Sequence, residues 1–235
     1  MKIIVGNWKM NGTVDALTEM VDAVSKLNIE SRVILCVPYT MLRGGSNAVM
    51  IGAQNVSKYD SGAHTGEISA KMVRDMGANA TLVGHSECRD ELHDENADVA
   101  TRAKVAIEND LMPIICIGET AAERDMNMTH AVVEHGLRES IPNNASDGNF
   151  IIAYEPRWAI GAGVTPTKDE IRDVHKIIRE ILDDMGFTDT PILYGASITA
   201  KNSGEIMSIE NVDGVLVGGA SLKIDDFIPI IKSAK

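Results

Sequence analysis

Lys9, His85 and Glu155 each stand within a few residues of the end of a short, branched apolar run, at 3–5, 80–83 and 150–153. A carboxylate can take a proton from carbon, an imidazole can pass one to or from oxygen, and an ammonium can hold the negative charge that builds between these steps. Glycine-rich turns accompany them at Ala159-Ile-Gly-Ala-Gly163, Gly195-Ala-Ser197 and Gly218-Gly-Ala-Ser221. Backbone N–H groups at such turns cradle phosphate, and a following helix adds its dipole. A glutamate and a histidine facing one small phosphorylated molecule point to proton transfer rather than hydrolysis. Each residue alone has an ordinary reading: a structural histidine, a solvated lysine, a glutamate opening a loop before Pro156, glycines that merely turn the chain. Their joint placement at the ends of runs is what points to chemistry.

The elements that must position these residues are eight apolar runs, at 3–5, 32–37, 49–53, 80–83, 112–117, 150–153, 192–194 and 214–217. They are near-continuously apolar rather than alternating, as in strands buried on both faces. Segments of helical period lie between them. The clearest carries Ile171, Val174, Ile177, Ile178, Ile181, Leu182 and Met185 in steps of three and four, opens on the capping box Thr167-Lys-Asp-Glu170 and closes at Gly186. The last repeats the pattern with Ile224, Phe227, Ile228 and Ile231. Strand–helix alternation eight times over predicts a parallel α/β fold, a single-domain (β/α)8 barrel over residues 1–235, with an open doubly wound sheet as the alternative. In a barrel the chemistry sits at the C-terminal ends of the strands, where these residues fall.

Composition narrows the partners. The chain has 235 residues, 44% hydrophobic and 24% charged, and can bury a large core without disulfides. With 22 basic against 34 acidic residues its net charge is −12, which argues against nucleic acid and anionic membranes as partners. A small anion remains possible if one lysine and a few amides make a locally positive pocket. Three widely spaced cysteines, Cys36, Cys88 and Cys116, form neither a disulfide framework nor a zinc motif, and suit a reducing cytoplasm. No metal cluster or flavin motif stands out, and no cofactor is expected. The first apolar run breaks after three residues, too few for a signal peptide or membrane span.

Five motifs carry a resemblance to a known family: Gly6-Asn-Trp-Lys-Met-Asn-Gly12, Gly84-His-Ser-Glu87, Cys116-Ile-Gly-Glu119, Tyr154-Glu-Pro156 with Trp158-Ala-Ile-Gly161, and Leu216-Val-Gly-Gly-Ala-Ser-Leu222. In kind and order the sequence resembles the triosephosphate isomerases. The resemblance implies interconversion of dihydroxyacetone phosphate and glyceraldehyde 3-phosphate, a step of glycolysis and gluconeogenesis. It implies that Glu155 is the base and His85 the electrophile. Lys9 stabilises the enediolate, Asn7 bonds a substrate oxygen, and Glu87 places Lys9. The family is itself a worked example of a histidine kept neutral by a helix N-terminus under a water-excluding lid; here the helix would start after Ser86. The lid would be 156–166, with Ile160 over Glu155 and the Gly161 N–H on the phosphate. Ser197, Gly218 and Gly219 would add phosphate donors, Tyr194 and Ser197 would hold the closed lid, and Glu119 would anchor Trp158 at its hinge. Leu216 joins the supporting residues. A homodimer is also implied, with Thr65 and Glu67 of the loop Gly62-Ala-His-Thr-Gly-Glu67, and Met10, at the interface.

Some positions depart from the family pattern. Cys88 stands where an arginine commonly pairs with the glutamate of the interface loop, here Glu67; a thiol cannot form that pair, which implies a weaker dimer. A partly exposed Cys88 would also make the protein sensitive to thiol reagents. Asp94 replaces a frequent glutamate and leaves a buried carboxylate one methylene short. Ala162 and Ala196 replace frequent small residues, and Arg157 a frequent valine at the lid hinge. Two rival functions make distinct demands. An aldolase-like lyase needs a lysine inside a central strand, and no central run has one. A catalytically silent or moonlighting barrel that still binds triose phosphates would have lost Lys9, His85 or Glu155, and all are present.

Overall fold

Branched apolar runs without polar alternation must be covered on both faces, and in this chain they are the staves of a barrel. The computed structural model describes residues 1–43, 45–161 and 165–234. Its strands are β1 (Ile3–Asn7), β2 (Arg32–Cys36), β3 (Val49–Ala53), β4 (Ala80–Val83), β5 (Met112–Ile117), β6 (Ile151–Tyr154), β7 (Ile192–Tyr194) and β8 (Gly214–Val217). They run parallel, pair in sequence order, and close through β1 on β8. The doubly wound alternative is therefore excluded. β1 runs two residues beyond the apolar run because Gly6 and Asn7 still pair with Leu35 and Cys36 of β2. β6 is displaced by one residue, ending on Tyr154 beside Ile117.

The helices are α1 (Val14–Ser25), α2 (Ala70–Asp75), α3 (Ser86–Glu91), α4 (Asn96–Glu108), α5 (Ala121–Asp125), α6 (Thr129–Ser140), α7 (Lys168–Asp184), α8 (Ser203–Met207) and α9 (Ile224–Lys232). The alternation is less regular than expected. Between β2 and β3 the described residues form only a short 3-10 turn, Tyr39–Met41, entered at Pro38. Pro38, which fixes its own φ and lacks a donor, sets the entry to that turn. No helix among the described residues is long and apolar enough to cross a membrane.

Two cores result. Alternate strand residues such as Val5, Ile34, Leu82, Ile114, Ala153 and Leu193 fill the barrel, and the others pack outward against the helices. α7 illustrates the second layer. The Thr167 hydroxyl accepts the Glu170 N–H at 3.3 Å, the Glu170 carboxylate accepts the Thr167 N–H at 2.7 Å, and Gly186 leaves the helix at φ +88°. Ile171, Val174, Ile178, Ile181 and Leu182 are buried.

His175 shares that buried face of α7, which the apolar stripe did not announce. Its Nδ1 lies 2.9 Å from the Asn211 carbonyl, while Nε2 has no partner among the described residues. Burial pushes its pKa down to about 4, against about 6.5 for the unfolded chain. The unfolded state thus binds this proton first. The contribution is complete above about pH 6.5 and is lost as pH falls toward 4, at ~1.4 kcal/mol per unit. Urea unfolding at pH 7 and pH 5 is expected to show a loss of ~2 kcal/mol that a His175→Asn variant lacks; equal slopes for the two proteins would contradict this.

Candidate active site

Strand ends deliver the chemical groups to one rim of the barrel. Asn7 closes β1, and its Oδ1 accepts the Lys9 N–H at 3.0 Å, which turns the chain so that Lys9 sits at φ +52°. Gly12 completes the turn at φ +99°, where a Cβ would lie 2.5 Å from the Trp8 ring. Gln54, which no sequence signal singled out, donates to the Lys9 carbonyl at 2.8 Å. Lys9 Nζ lies 2.6 Å from Glu87 Oε1 in α3.

His85 ends the turn after β4 and caps α3, its Nδ1 accepting the Glu87 N–H at 3.2 Å. That bond leaves the proton of a neutral ring on Nε2, which lies 3.1 Å from Glu155 Oε1. Glu155 follows β6, and its Oε2 accepts the Ser86 N–H at 3.2 Å. Both side chains are buried. Burial disfavours the charged imidazolium, but the charge and hydrogen bond of Glu155, and then Glu87, favour it, so its pKa is raised. Burial likewise disfavours the Glu155 carboxylate, yet His85, the Ser86 N–H and Lys9 hold its pKa below the ordinary value. The downward shift expected for His85 is therefore not found in this arrangement: a carboxylate at 3.1 Å outweighs the effect of burial.

Asn7, Lys9, His85 and Glu155 line a cavity of about 260 Å³. Gly195, Ser197, Gly218 and Gly219 enter it from the turns after β7 and β8, Leu216 from β8, and Ile160 and Gly161 from the chain after β6. Gly219 has no atom within 4 Å of where a Cβ would stand, and it opens a 3-10 turn over Gly219–Ser221. The main chain there is open to a ligand. Gly195 leaves room of another kind, since its Cβ would stand 3.0 Å from Glu155 Cγ.

The chain beyond Glu155 is tied down at its base. Glu119 is fully buried and accepts Trp158 Nε1–H at 2.9 Å and the Tyr154 hydroxyl at 3.1 Å. Arg124 lies over the Trp158 ring, 4.0 Å from its centroid. Ser197 Oγ donates to the Ala159 carbonyl at 2.9 Å. Arg157 forms an ion pair with Asp90 of α3. Residues 162–164 of the expected lid, among them the last two residues of its tip Ala159-Ile-Gly-Ala-Gly163, lie outside the described residues. Tyr194 is buried in the barrel wall beside Tyr154 and His175, and its hydroxyl meets no partner among the described residues.

Other expected residues lie elsewhere. Met10, Thr65 and Glu67 are outside the cavity on the exposed surface, Met10 with 95% of its area exposed. Cys88 is half-buried, and burial first, then the charge of Asp94, pushes its pKa up to about 11. That works against the expected thiol sensitivity, because the thiolate is the nucleophile. Asp94 is buried and grips Arg102 of α4 with Oδ1 at 3.0 Å, while its Oδ2 has no partner among the described residues. Arg102 also donates to the Val56 carbonyl. It thereby supplies a guanidinium from another helix in the cleft that Cys88 lines, a substitution invisible in the motif itself.

A closed eight-stranded parallel barrel with a carboxylate, an imidazole and an ammonium at its C-terminal rim, facing open main-chain turns, has the architecture of an α/β-barrel enzyme. The triosephosphate isomerase family model matches residues 2–234. A triosephosphate isomerase of Jannaschia sp. (strain CCS1) is 45% identical over 244 residues, covering 98% of this chain and 96% of the relative. The one from Xanthobacter flavus is 41% identical over 240 residues, covering 98% and 96%. The crystal structure of triosephosphate isomerase from Bartonella henselae superposes with a TM-score of 0.91 at 34% identity, covering 99% of this chain and 98% of that one. The chain belongs to the triosephosphate isomerase family and is an isomerase.

Proposed function

We propose that this chain, acting as one domain over residues 1–235, interconverts dihydroxyacetone phosphate and D-glyceraldehyde 3-phosphate through an enediolate. The observation that carries this reading is the Glu155–His85 pair at 3.1 Å, with the Nδ1 of His85 occupied by a backbone N–H. His85 then offers Nε2–H to the substrate's carbonyl oxygen while Glu155 takes a proton from the adjacent carbon. The same carboxylate returns it to the neighbouring carbon, and His85 moves the proton between the two oxygens. Lys9 and Asn7 hold the charge that develops on oxygen. The N–H groups of Gly218, Gly219 and Gly161, with Ser197, receive the phosphate.

Glu155 must first release His85 and Ser86. Those contacts are what keep its pKa low. Turning toward substrate removes them and keeps the burial, so the carboxylate becomes a stronger base at the moment it is used. Closure of 156–166 over the site, hinged at Trp158 and Glu119, deepens that desolvation and protects the enediolate from side reactions.

The test is isomerisation of glyceraldehyde 3-phosphate, followed through NADH-coupled consumption of the ketone, repeated with Glu155→Ala. A rate that the substitution abolishes is the expected result; folded protein with no rate at any concentration would overturn the reading.

We further propose a homodimer in the cytoplasm, with Met10, Thr65 and Glu67 at the interface. Cys88→Arg is expected to tighten it by roughly two- to five-fold, the worth of one accessible ion pair to Glu67. The gain is modest because Arg102 already stands in that cleft. Sedimentation velocity across a dilution series measures it, and an unchanged dissociation constant would remove Cys88 from the interface account.

A further inference from the structure

A second cavity, of about 400 Å³, opens on the outer wall of the barrel and shares no lining residue with the cavity described above. Ile117 and Gly118 at the end of β5 form its floor, α6 one wall, and Arg157, at the start of the turn carrying Trp158, its polar end. Its size lies within the range of ~300–1,000 Å³ usual for small-molecule sites. Met128, Ala131 and Val132 make this side largely apolar, with the imidazole of His135 beside them. The absent side chain of Gly136 keeps it open, since a Cβ there would stand 3.5 Å from Ile117.

The polar groups differ in how far they are used. The Arg89 guanidinium is fixed by the Gly84 carbonyl at 2.9 Å, Asn96 at 2.8 Å and the Cys116 carbonyl at 3.1 Å. Glu123 is turned to its own helix cap, accepting the N–H and hydroxyl of Thr120 at 2.7 and 2.8 Å. Arg157 meets Asp90 through Nη2 alone, and its Nε is a buried donor with no partner among the described residues. Nε is closed off even from water, but Nη1 makes no hydrogen bond among the described residues, and Arg157 lines the cavity with part of its side chain exposed, so an anionic acceptor there would be answered by a charged donor.

We propose that this cavity binds a small amphipathic carboxylate, its apolar body against Ile117, Met128 and Val132 and its carboxylate on Arg157. Occupancy grips the hinge: Arg157 begins the turn that holds Trp158, and Gly118 precedes Glu119, the anchor of that tryptophan. A ligand that clamps the hinge in one state slows a cycle that needs two. This coupling rests on the lid motion proposed above; the binding itself does not.

The probe is sodium octanoate, titrated calorimetrically into the whole protein with and without saturating inorganic phosphate, which occupies the other cavity. The expected result is one site with a dissociation constant of about 1 mM or below, a scale that roughly ten heavy atoms can supply, unmoved by phosphate. Octanamide, with the same body and no charge, binds at least ~10-fold more weakly. Ala131→Phe, which fills the cavity from an exposed helix position, and Arg157→Gln each weaken octanoate by ~10-fold or more. Asp90→Asn tightens it, because the substitution frees Arg157. No heat up to ~20 mM, displacement by phosphate, or indifference to Ala131→Phe overturns the site. In the turnover assay octanoate lowers kcat without competing with substrate. Binding without any change in kcat leaves the site standing and overturns its coupling to the hinge. Because calorimetry reads binding without turnover, an inactive protein would count against the proposed reaction and leave this result intact.

Discussion

Glu155→Asp is expected to lower kcat by about 10²-fold or more while KM changes little. The substitution keeps the charge and withdraws the carboxylate by one carbon–carbon bond, about 1.5 Å. The base must reach a carbon-bound proton, and that transfer is steeply sensitive to distance, whereas the phosphate grip on the main-chain turns does not involve this side chain. A factor of 10² corresponds to ~2.7 kcal/mol of lost transition-state stabilisation. Steady-state kinetics with the triose phosphate separate the two parameters. Near-normal turnover would remove Glu155 from the role of base, and a KM that rises in step with lost kcat would make it a binding residue.

Gly118→Ala is expected to disable the protein by a different route. A Cβ at this position would fall on the Glu155 carbonyl oxygen, with the Glu155 carbonyl carbon at 2.6 Å. The obstacle is main chain, not a flexible side-chain tip, so β5 and β6 must separate at the rim. Overpacking of this kind costs ~3 kcal/mol or more, and whatever folded protein remains carries Glu155 displaced. Urea unfolding followed by circular dichroism should show the loss of stability, and the folded fraction should have lost most of its kcat. Full stability and full turnover in this variant would mean that the two strands can part at that point without consequence.

Much of this architecture was legible because its causes are local. The eight strands are runs of branched apolar residues, and burial on both faces is the only environment that accepts them. α7 could be read almost to the residue because Thr167, Glu170 and Gly186 mark its ends. Lys9, His85 and Glu155 could be placed together because a barrel gathers strand ends at one rim. What stayed hidden depends on residues far apart in sequence. Arg102 beside Cys88, Gln54 under Lys9 and Asp90 opposite Arg157 have ordinary local surroundings. His175 falls on the apolar face of α7, where pattern alone expects an apolar side chain. Between β2 and β3 the described residues form only a 3-10 turn, so a regular alternation of strands does not guarantee one of helices. The upward pKa of His85 depends on the Glu155 carboxylate being turned onto its ring, a fact of side-chain rotation that no spacing encodes.

The clasp of Glu155 on His85 and Ser86 also bears on how ligands are ranked. A triose phosphate must undo that clasp before it can react, so part of the free energy of its contacts goes into reorganising the protein and is absent from its measured affinity. Inorganic phosphate, which on the proposed reading needs only the amide turns, would leave the clasp in place. Atom for atom, the fragment should therefore bind more efficiently than the whole substrate, and an inhibitor that extends from the phosphate site without disturbing Glu155 keeps that advantage.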